Sequence, residues 1–450
     1  MSAHLPAADD DTAERLAAAL RCATVSTEDG ASADAEFEKL SDLLERSYPL
    51  VHERLELELF GHSRLYRWAG TESGTAAILL GHMDVVPVDD EARWTHPPFA
   101  GVIDGEFVWG RGAIDDKSRV LAILEAVEAA LAAGRRPRRT VYLAFGHDEE
   151  VFGLGGASRI AAVLRERGIR ADLLLDEGGV ILSGTTGVRR PVASIMVGEK
   201  GWATVRLAVS DPGGHSSMPG KRTAVGRIAR AVTRVQEHPM PLRMTPTVLD
   251  MLDRIRPGLP LPLRAALGTL PHGGRAVARV LALRPQTEAL VRTTTAPTVI
   301  HGGVKANVLP QHAEALVNFR ILQGDSVSDV LTHCRRAIRD REVTIDLHGL
   351  SSEPSPLSPP GPAFTLLADL TRSLVPEAII TTGIVPGATD SRHYEGLATA
   401  RYNFAPIILT NTDLSRIHGT DERLSRLNYA RLIEFNKRLL DELTEIPAAR

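Results

Sequence analysis

The sequence predicts an α/β protein, with a mostly parallel-sheet domain covered by helices and an inserted α+β domain. Three observations carry this. Apolar runs of buried-strand type alternate with helix-spaced segments in the N-terminal part. Strands with one apolar and one polar face follow in the middle, and a proline-rich stretch then leads back to helix and strand. At 450 residues the chain is too long for one core, so two domains, or three, are expected.

The elements are legible in order. Ala76–Leu80 (AAILL) is a buried-strand run. Ser118–Ala133 places Val120, Leu121, Leu124, Val127 and Leu131 at helical spacing, with Gly134 as a stop. Thr140–Phe145 reads as a strand, Ile160–Arg167 as part of a helix and Asp172–Leu175 as another buried strand. Strands alternating with helices imply a parallel sheet with both faces covered. Trp202–Val209 and Glu314–Arg320 alternate like half-exposed strands, and Thr223–Val235 between them reads as a helix. Ser351–Pro362 holds five prolines and has a linker composition. Helical Ala363–Leu374, a strand near Ala400–Ile408 and a terminal helix from about Asp421 to Leu443 follow. The expected division is 1–197 with 349–450 as one domain and 198–348 as the insertion.

Within the insertion, about 240–297 is an apolar segment rich in leucine, proline and arginine. Leu249, Leu252, Ile255, Leu259, Leu261, Leu263, Leu267, Leu270, Val277, Val280, Leu281 and Leu283 recur through it. They fit either helices packed on the inserted domain or in a dimer contact, or an apolar wall beside a cleft.

Composition excludes several classes. Apolar residues make up 43% and charged residues 24%, as in an ordinary globular protein, and the net charge of −4 gives no footprint for nucleic acid. Two distant cysteines, Cys22 and Cys334, form neither a disulfide framework nor a CxxC metal site. The acidic N-terminal stretch lacks the basic and apolar regions of a signal peptide, and no run is long enough to span a bilayer. A cytoplasmic protein is expected.

Four clusters carry the chemistry: His82-Met83-Asp84, Asp115-Asp116-Lys117, His147-Asp148-Glu149-Glu150 and Asp176-Glu177. Three directly follow a predicted strand, so they converge on the rim where open parallel sheets bind ligands. His418, in RIHGTDE, is a fifth candidate. Each has an ordinary alternative reading. A histidine after a strand can be a loop residue, Asp115-Asp116 a helix N-cap, Glu149-Glu150 a solvated loop, and Asp176-Glu177 a turn. Their conjunction is what matters. Carboxylates crowded at one rim repel one another and raise their pKa values unless a cation intervenes, and this donor set suits zinc.

GHMDVVPV, WTHPPFAGVIDGEFVWGRGAIDDK, AFGHDEE and LLDEGG, with GGHSSMP, VRTTTAPTV, GVKANVLP, VNFRI, TDSRHY and RIHGTDE, occur in this order. In these motifs the chain resembles the di-zinc aminoacylase and carboxypeptidase family, which includes succinyl-diaminopimelate desuccinylase and glutamate carboxypeptidase. VRTTTAPTV, GVKANVLP and RIHGTDE are most similar to the branch of the N-fatty-acyl-amino-acid synthase/hydrolase and carboxypeptidase S. The resemblance implies two divalent ions, zinc foremost, with Co2+ or Mn2+ as alternatives. His82, Asp115 and Glu177 would hold one, Asp176 being the alternative to Glu177; Glu150, Asp115 and His418 would hold the other. It makes Glu149 the general base and Asp84 the residue that orients His82. It makes His215 of the inserted lid domain the oxyanion donor, and Asn307, Arg320 and Arg392 the substrate-binding residues. The implied substrate is a small N-acyl amino acid or, alternatively, a dipeptide, and a homodimer through the lid domain is implied as well. A catalytically inactive metal-binding scaffold is the competing class, and the presence of Glu149 with every candidate ligand argues against it. Two departures stand out. Ser118-Arg119 replaces the expected Gly or Asn after Asp-Asp-Lys, and the signal peptide of the secreted relatives is missing.

Overall fold

The structure, a computed structural model, describes residues 5–27, 33–184, 187–261, 264–265 and 270–445. Its largest unit is a ten-stranded sheet. In chain order the strands are β1 (Glu56–Phe60), β2 (Ser63–Trp68), β3 (Ala76–His82), β4 (Val141–Gly146), β5 (Ala171–Asp176), β6 (Ile181–Leu182), β7 (Val192–Glu199), β8 (Ile379–Val385), β9 (Arg401–Asn403) and β10 (Ile408–Leu409). In space they run β1-β2-β4-β3-β5-β9-β7-β6-β10, with β8 paired to β7 off that path. β3 is parallel to β4 and β5, β5 to β9, and β7 to β8. The β1–β2 hairpin joins β4 antiparallel.

Apolar runs without alternation suit strands covered on both faces, and every residue of β3 and β4 is buried. Successive side chains point to opposite faces. Leu79, Leu143 and Leu175 face a core closed by helices Asp10–Leu20, Lys117–Ala132, Pro362–Leu374 and Arg426–Leu443. Ile78, Leu80, Ala144 and Leu174 face the helix Ala157–Glu166.

The helix Lys117–Ala132 is apolar on nearly every side, and Val120, Leu121, Ile123, Leu124 and Val127 are all buried. It ends where Gly134, at φ 70°, takes the left-handed conformation that glycine adopts at no steric cost. It starts one residue before the expected Ser118. The unexpected Arg119 is buried beneath the rim, and its guanidinium donates to the carbonyls of Leu80 (2.6 Å), Leu175 (3.0 Å) and Phe404 (3.0 Å). It therefore ties the ends of β3 and β5 to the residue after β9.

Between β7 and β8 lies a second sheet of four antiparallel strands, ordered Thr294–Gly302, His312–Ile321, Gly201–Ser210 and Thr344–Ser352. The expected alternation is present: Ala203, Val205, Leu207 and Val209 are buried against Ile228, Val235, Val330 and Cys334, while residues between them are half-exposed. The helices Ala224–Glu237 and Val327–Ile338 supply that core. The proline-rich stretch is not a free linker. Its first residues complete a strand, and then Ser355 and Ser358 donate backbone N–H groups to the carbonyls of Glu199 and Val197.

In the apolar segment, the helix Pro246–Ile255 packs on β8, where Thr382 donates to Asp250 at 2.7 Å. Val248, Leu252 and Val291 form a small core of their own, and Ile255 and Leu259 reach Val192 and Ile379. Leu261, Val280 and Leu283 are exposed. Leu263 and Leu267 lie outside the described residues, as does the side chain of Leu270. Both cysteines are free and buried. Among the described residues, no helix is long and apolar enough to cross a membrane.

Arg119→Met would remove the guanidinium donor from three buried carbonyls. Each buried unpaired group costs about 1–3 kcal/mol, so urea unfolding should report a loss of roughly 2–5 kcal/mol; a midpoint unchanged from wild type would contradict the staple.

Candidate metal centre

The parallel strands deliver the candidate residues to one rim. His82 is the last residue of β3 and stands in register with Gly146, the last of β4. Glu149 and Glu150 occupy the short turn after β4, and Glu177 follows β5. Asp115 precedes the helix Lys117–Ala132, and His418 arrives from the C-terminal part with φ 58°.

Asp115 stands at the centre. Its Oδ1 lies 2.9 Å from His82 Nε2 and its Oδ2 lies 3.1 Å from His418 Nε2, which is also 3.2 Å from Glu150 Oε1. Three groups of potential ligand atoms result, each with all members within 4.8 Å of one another: His82 with Asp115 and Glu177, Asp115 with Glu150 and His418, and His82 with Glu149 and Glu150. Asp115 belongs to the first two and offers a different oxygen to each imidazole.

Burial, together with the charges of neighbouring carboxylates, pushes the carboxyls of Glu149 and Glu177 well above the usual range. Asp115 behaves oppositely: although burial opposes it, the imidazoles of His418 and His82 hold it below that range. His418 is pushed up to about 10 by Asp115 and Glu150, whose carboxylates face its Nε2. The 3.2 Å approach of that nitrogen to the buried Glu150 Oε1 is not a well-aligned hydrogen bond, so this oxygen has no partner of good geometry. A crowd of buried carboxylates and imidazoles with such an orphaned oxygen fits divalent cations, which neutralise the repulsion and accept the lone pairs.

The surroundings orient this set. His82 Nδ1 is 3.0 Å from the Asp84 carbonyl, so Nε2 is the nitrogen turned to the cluster. The Asp84 carboxylate is fully buried and accepts from Ser26 Oγ (2.5 Å), Glu149 N (3.2 Å) and Glu150 N (3.1 Å). One side chain thus aligns His82 and the glutamate turn. Asp176 turns away: Thr389 Oγ1, Ser391 N and Glu177 N donate to its oxygens. Asp116 does occupy the N-cap position of the helix Lys117–Ala132, but it makes no side-chain capping hydrogen bond, and Asp115 faces the two imidazoles instead. His147 is structural in its contacts, with Nδ1 2.6 Å from Ser63 Oγ.

Two residues inside these motifs to which the sequence reading gave no role matter here. Glu422 is fully buried and accepts from Arg111 (2.8 Å) and from the backbone N–H groups of Gly112, Ile114 and Asp115 (3.1, 2.8 and 3.1 Å). It fixes the Asp115 loop from the segment that carries His418. Lys117 donates to the carbonyls of Ala19 and Cys22 and anchors the same loop from below.

The remaining candidates separate. Burial, and then the charge of Arg392, lower the pKa of Arg320. Solvent reaches the Arg320 side chain, as in an open cleft. Among the described residues neither guanidinium is paired with a carboxylate, and Arg392 Nη2 is buried without a partner. Trp202, cross-strand from Arg320, stacks on Phe152 of the glutamate turn with centroids 5.0 Å apart. His215 and Asn307 do not join the cluster. They sit together on an exposed ribbon formed by Gly214–His215 and Val308–Leu309, where His215 Nδ1 accepts from Ser217. Met218, Val304 and Val308 around them are also exposed.

Comparison with known proteins accords with this site. The model of "Peptidase family M20/M25/M40" matches residues 78–442. The chain is 39% identical over 441 residues to "Probable carboxypeptidase S-like 2" of Dictyostelium discoideum, covering 96% of this chain and 85% of that protein. It is 36% identical over 440 residues to the "N-fatty-acyl-amino acid synthase/hydrolase PM20D1" of Homo sapiens, covering 94% and 86%. The fold is similar to that of the M20 family metallo-carboxypeptidase Sso-CP2 from Sulfolobus solfataricus, with a TM-score of 0.70, 17% identity, and coverage of 96% and 99%. The chain belongs to the peptidase family M20/M25/M40 and is a metal-dependent amidohydrolase of the metallopeptidase type.

Because Asp115 alone contributes an oxygen to both imidazole groups, Asp115→Ala should bind neither cation, whereas His418→Ala should forfeit one. Metal analysis after dialysis reads this; two ions retained by the Asp115 variant would refute the bridging arrangement.

Proposed function

We propose that this member of the M20/M25/M40 family hydrolyses the amide bond of N-acyl amino acids, releasing a carboxylic acid and a free amino acid. One observation carries the reading. Arg320 and Arg392, close enough for the charge of one to act on the other, lack carboxylate partners among the described residues, and Arg392 lies two residues beyond Asp390, which packs against Gly146 and Gly153 flanking the glutamate turn. Unpaired arginine forks beside a reactive centre suit a substrate with a free carboxylate. Similarity to an N-fatty-acyl-amino acid synthase/hydrolase supports an acyl group on the other side of the bond, and the same site can run in reverse. A dipeptidase or carboxypeptidase is the second reading, favoured by the likeness to carboxypeptidase S-like proteins, since a dipeptide also ends in a carboxylate.

In this reading His82, Asp115 and Glu177 hold one divalent ion, and Glu150, Asp115 and His418 the other. Zinc suits the donors best, with Co2+ or Mn2+ as alternatives. When bound, such ions polarise the scissile carbonyl and lower the pKa of the attacking water. Glu149 takes the proton of that water and passes it to the leaving nitrogen as the C–N bond breaks. Asp84 keeps His82 and the Glu149 turn aligned. Arg320 and Arg392 hold the substrate carboxylate, with Asn307 binding the substrate from the ribbon.

Residues 198–348 serve as a lid on the catalytic domain of 1–197 and 349–450. His215 donates to the tetrahedral oxyanion, a contribution typically worth about 10²–10³ in rate. Its exposure beside Met218, Val304 and Val308 supports donation from the lid of a partner copy in a homodimer. The buried free cysteines suit a reducing, cytoplasmic setting.

Glu149→Gln should keep both ions yet lose turnover by orders of magnitude, while Glu150→Gln should lose one ion; identical behaviour would undo the division of roles. Mixing the Glu149→Gln and His215→Ala proteins should restore part of the activity if the histidine crosses between subunits, and no recovery after subunit exchange would place it in its own site.

Leu261, Val280 and Leu283 offer apolar surface for an acyl chain. Each buried methylene is worth about 0.8 kcal/mol, so kcat/KM should climb about fourfold per carbon as the acyl group of one amino acid lengthens from acetyl. A flat or falling profile to dodecanoyl would favour the dipeptidase reading.

A further inference from the structure

Glu199 and Lys200 stand where β7 leaves the large sheet and the four-stranded sheet begins at Gly201. Both are buried, and the family motifs assign neither a role. Four groups lie within hydrogen-bond distance of Glu199, one of them the Thr389 hydroxyl that it shares with Asp176. Thr389 Oγ1 is 2.5 Å from Oε1, Ser391 Oγ 2.7 Å and Asn403 Nδ2 3.2 Å, while Thr389 N is 3.3 Å from Oε2. Thr389 and Ser391 are the residues before Arg392 in the short turn Asp390–Tyr394, and the Arg392 N–H returns to the Thr389 carbonyl at 3.3 Å. Asp176 grips the same turn, accepting from Ser391 N at 2.9 Å and standing 2.8 Å from the Thr389 hydroxyl, whose one proton it shares with Glu199.

The next residues deal with the other arginine. Lys200 N donates to the Val385 carbonyl at the end of β8. Gly201 allows the chain to pass Ser352 and Pro354, whose backbone atoms a side chain there would meet at 2.5 and 2.6 Å. Trp202 then pairs with Arg320 across the strands. A four-residue passage therefore sets Arg392 through Glu199 and Arg320 through Trp202.

We infer that Glu199 is a positioning residue for the substrate-carboxylate subsite: by clamping Thr389 and Ser391 it holds the Arg392 guanidinium opposite Arg320. The inference rests on the proposed role of the two arginines. A buried carboxyl group ringed by hydroxyl and amide donors is fixed in direction, and replacing one of its oxygens by an amide NH2 removes an acceptor and sets a donor against a donor within this ring.

The test compares an N-acyl leucine with the matching N-acyl leucinamide, which lacks the carboxylate charge, and adds amide hydrogen exchange of 389–394. Glu199→Gln should raise KM for the acid about tenfold, the scale of one charge-assisted hydrogen bond, with kcat, metal content and kcat/KM for the leucinamide unchanged. Exchange at 389–394 should quicken while β3 stays protected. Ser391→Ala, which removes a single donor, should show the same split more weakly and serves if Glu199→Gln does not fold. Equal losses on acid and amide, or unchanged exchange at 389–394, would overturn the inference. Arg392→Ala is the control for the reading beneath it. If that variant binds the acid as well as wild type, the carboxylate subsite is refuted, and exchange at 389–394 alone then decides whether Glu199 holds the turn.

Discussion

Everything at the rim follows from the cost of placing several carboxylates in one buried space. Asp115, Glu149, Glu150 and Glu177 stand close together, and burial and mutual repulsion push Glu149 and Glu177 strongly upward. Such a set is stable only if counter-charge is supplied and its members cannot swing apart to relieve the repulsion. The fold meets the second requirement by strand order. β3, β4 and β5 are adjacent and parallel, so their carboxyl ends present His82, the glutamate turn and Glu177 within a few ångströms. Helices on both faces leave those strand ends little freedom.

The remaining buried charges can be understood as the apparatus that holds this arrangement. Arg119 gathers the carbonyls of three strand ends, Asp84 joins His82 to the glutamate turn, and Glu422 collects the backbone N–H groups of the Asp115 loop. A buried ion pair such as Arg111–Glu422 adds little net stability compared with apolar residues of equal volume, because desolvation consumes most of the attraction. Its value here is geometric. Glu422 lies four residues beyond His418, so the segment that carries one imidazole also fixes the carboxylate that the imidazole faces.

The rim was legible in sequence because strand ends are. AAILL before His82, TVYLAF before His147 and DLLL before Asp176 are continuous apolar runs, and a parallel sheet leaves no other place for the polar residues that follow them. The alternation in Trp202–Val209 likewise announced a sheet with one covered face. What sequence hid was long-range. No local pattern says that Arg119 reaches Phe404, that Glu199 reaches Ser391, or that the proline-rich stretch lies bonded along β7. The apolar segment shows the same limit. Its leucines announced burial, but only tertiary structure divides them into those packed on β8, such as Ile255 and Leu259, and those left on the surface, such as Leu261 and Leu283.

The position of the two arginines explains why the junction between the sheets is built from buried polar residues when an apolar hinge would fold as readily. Arg392 belongs to the large sheet's rim and Arg320 to the smaller sheet, so their spacing depends on how one sheet is set against the other. An apolar junction packs with similar energy over a range of small displacements, whereas hydrogen bonds are lost within a few tenths of an ångström and beyond narrow angles. Glu199 bonded to Thr389 and Ser391, Lys200 bonded to the carbonyls of Ala289 and Arg292, and Phe152 stacked on Trp202 therefore restrict the junction to one setting. Phe152 adopts φ 83°, a conformation that costs a bulky side chain roughly 1–3 kcal/mol. That strain is retained at the turn where the candidate glutamates meet the second sheet and where the Phe152 ring stacks on Trp202.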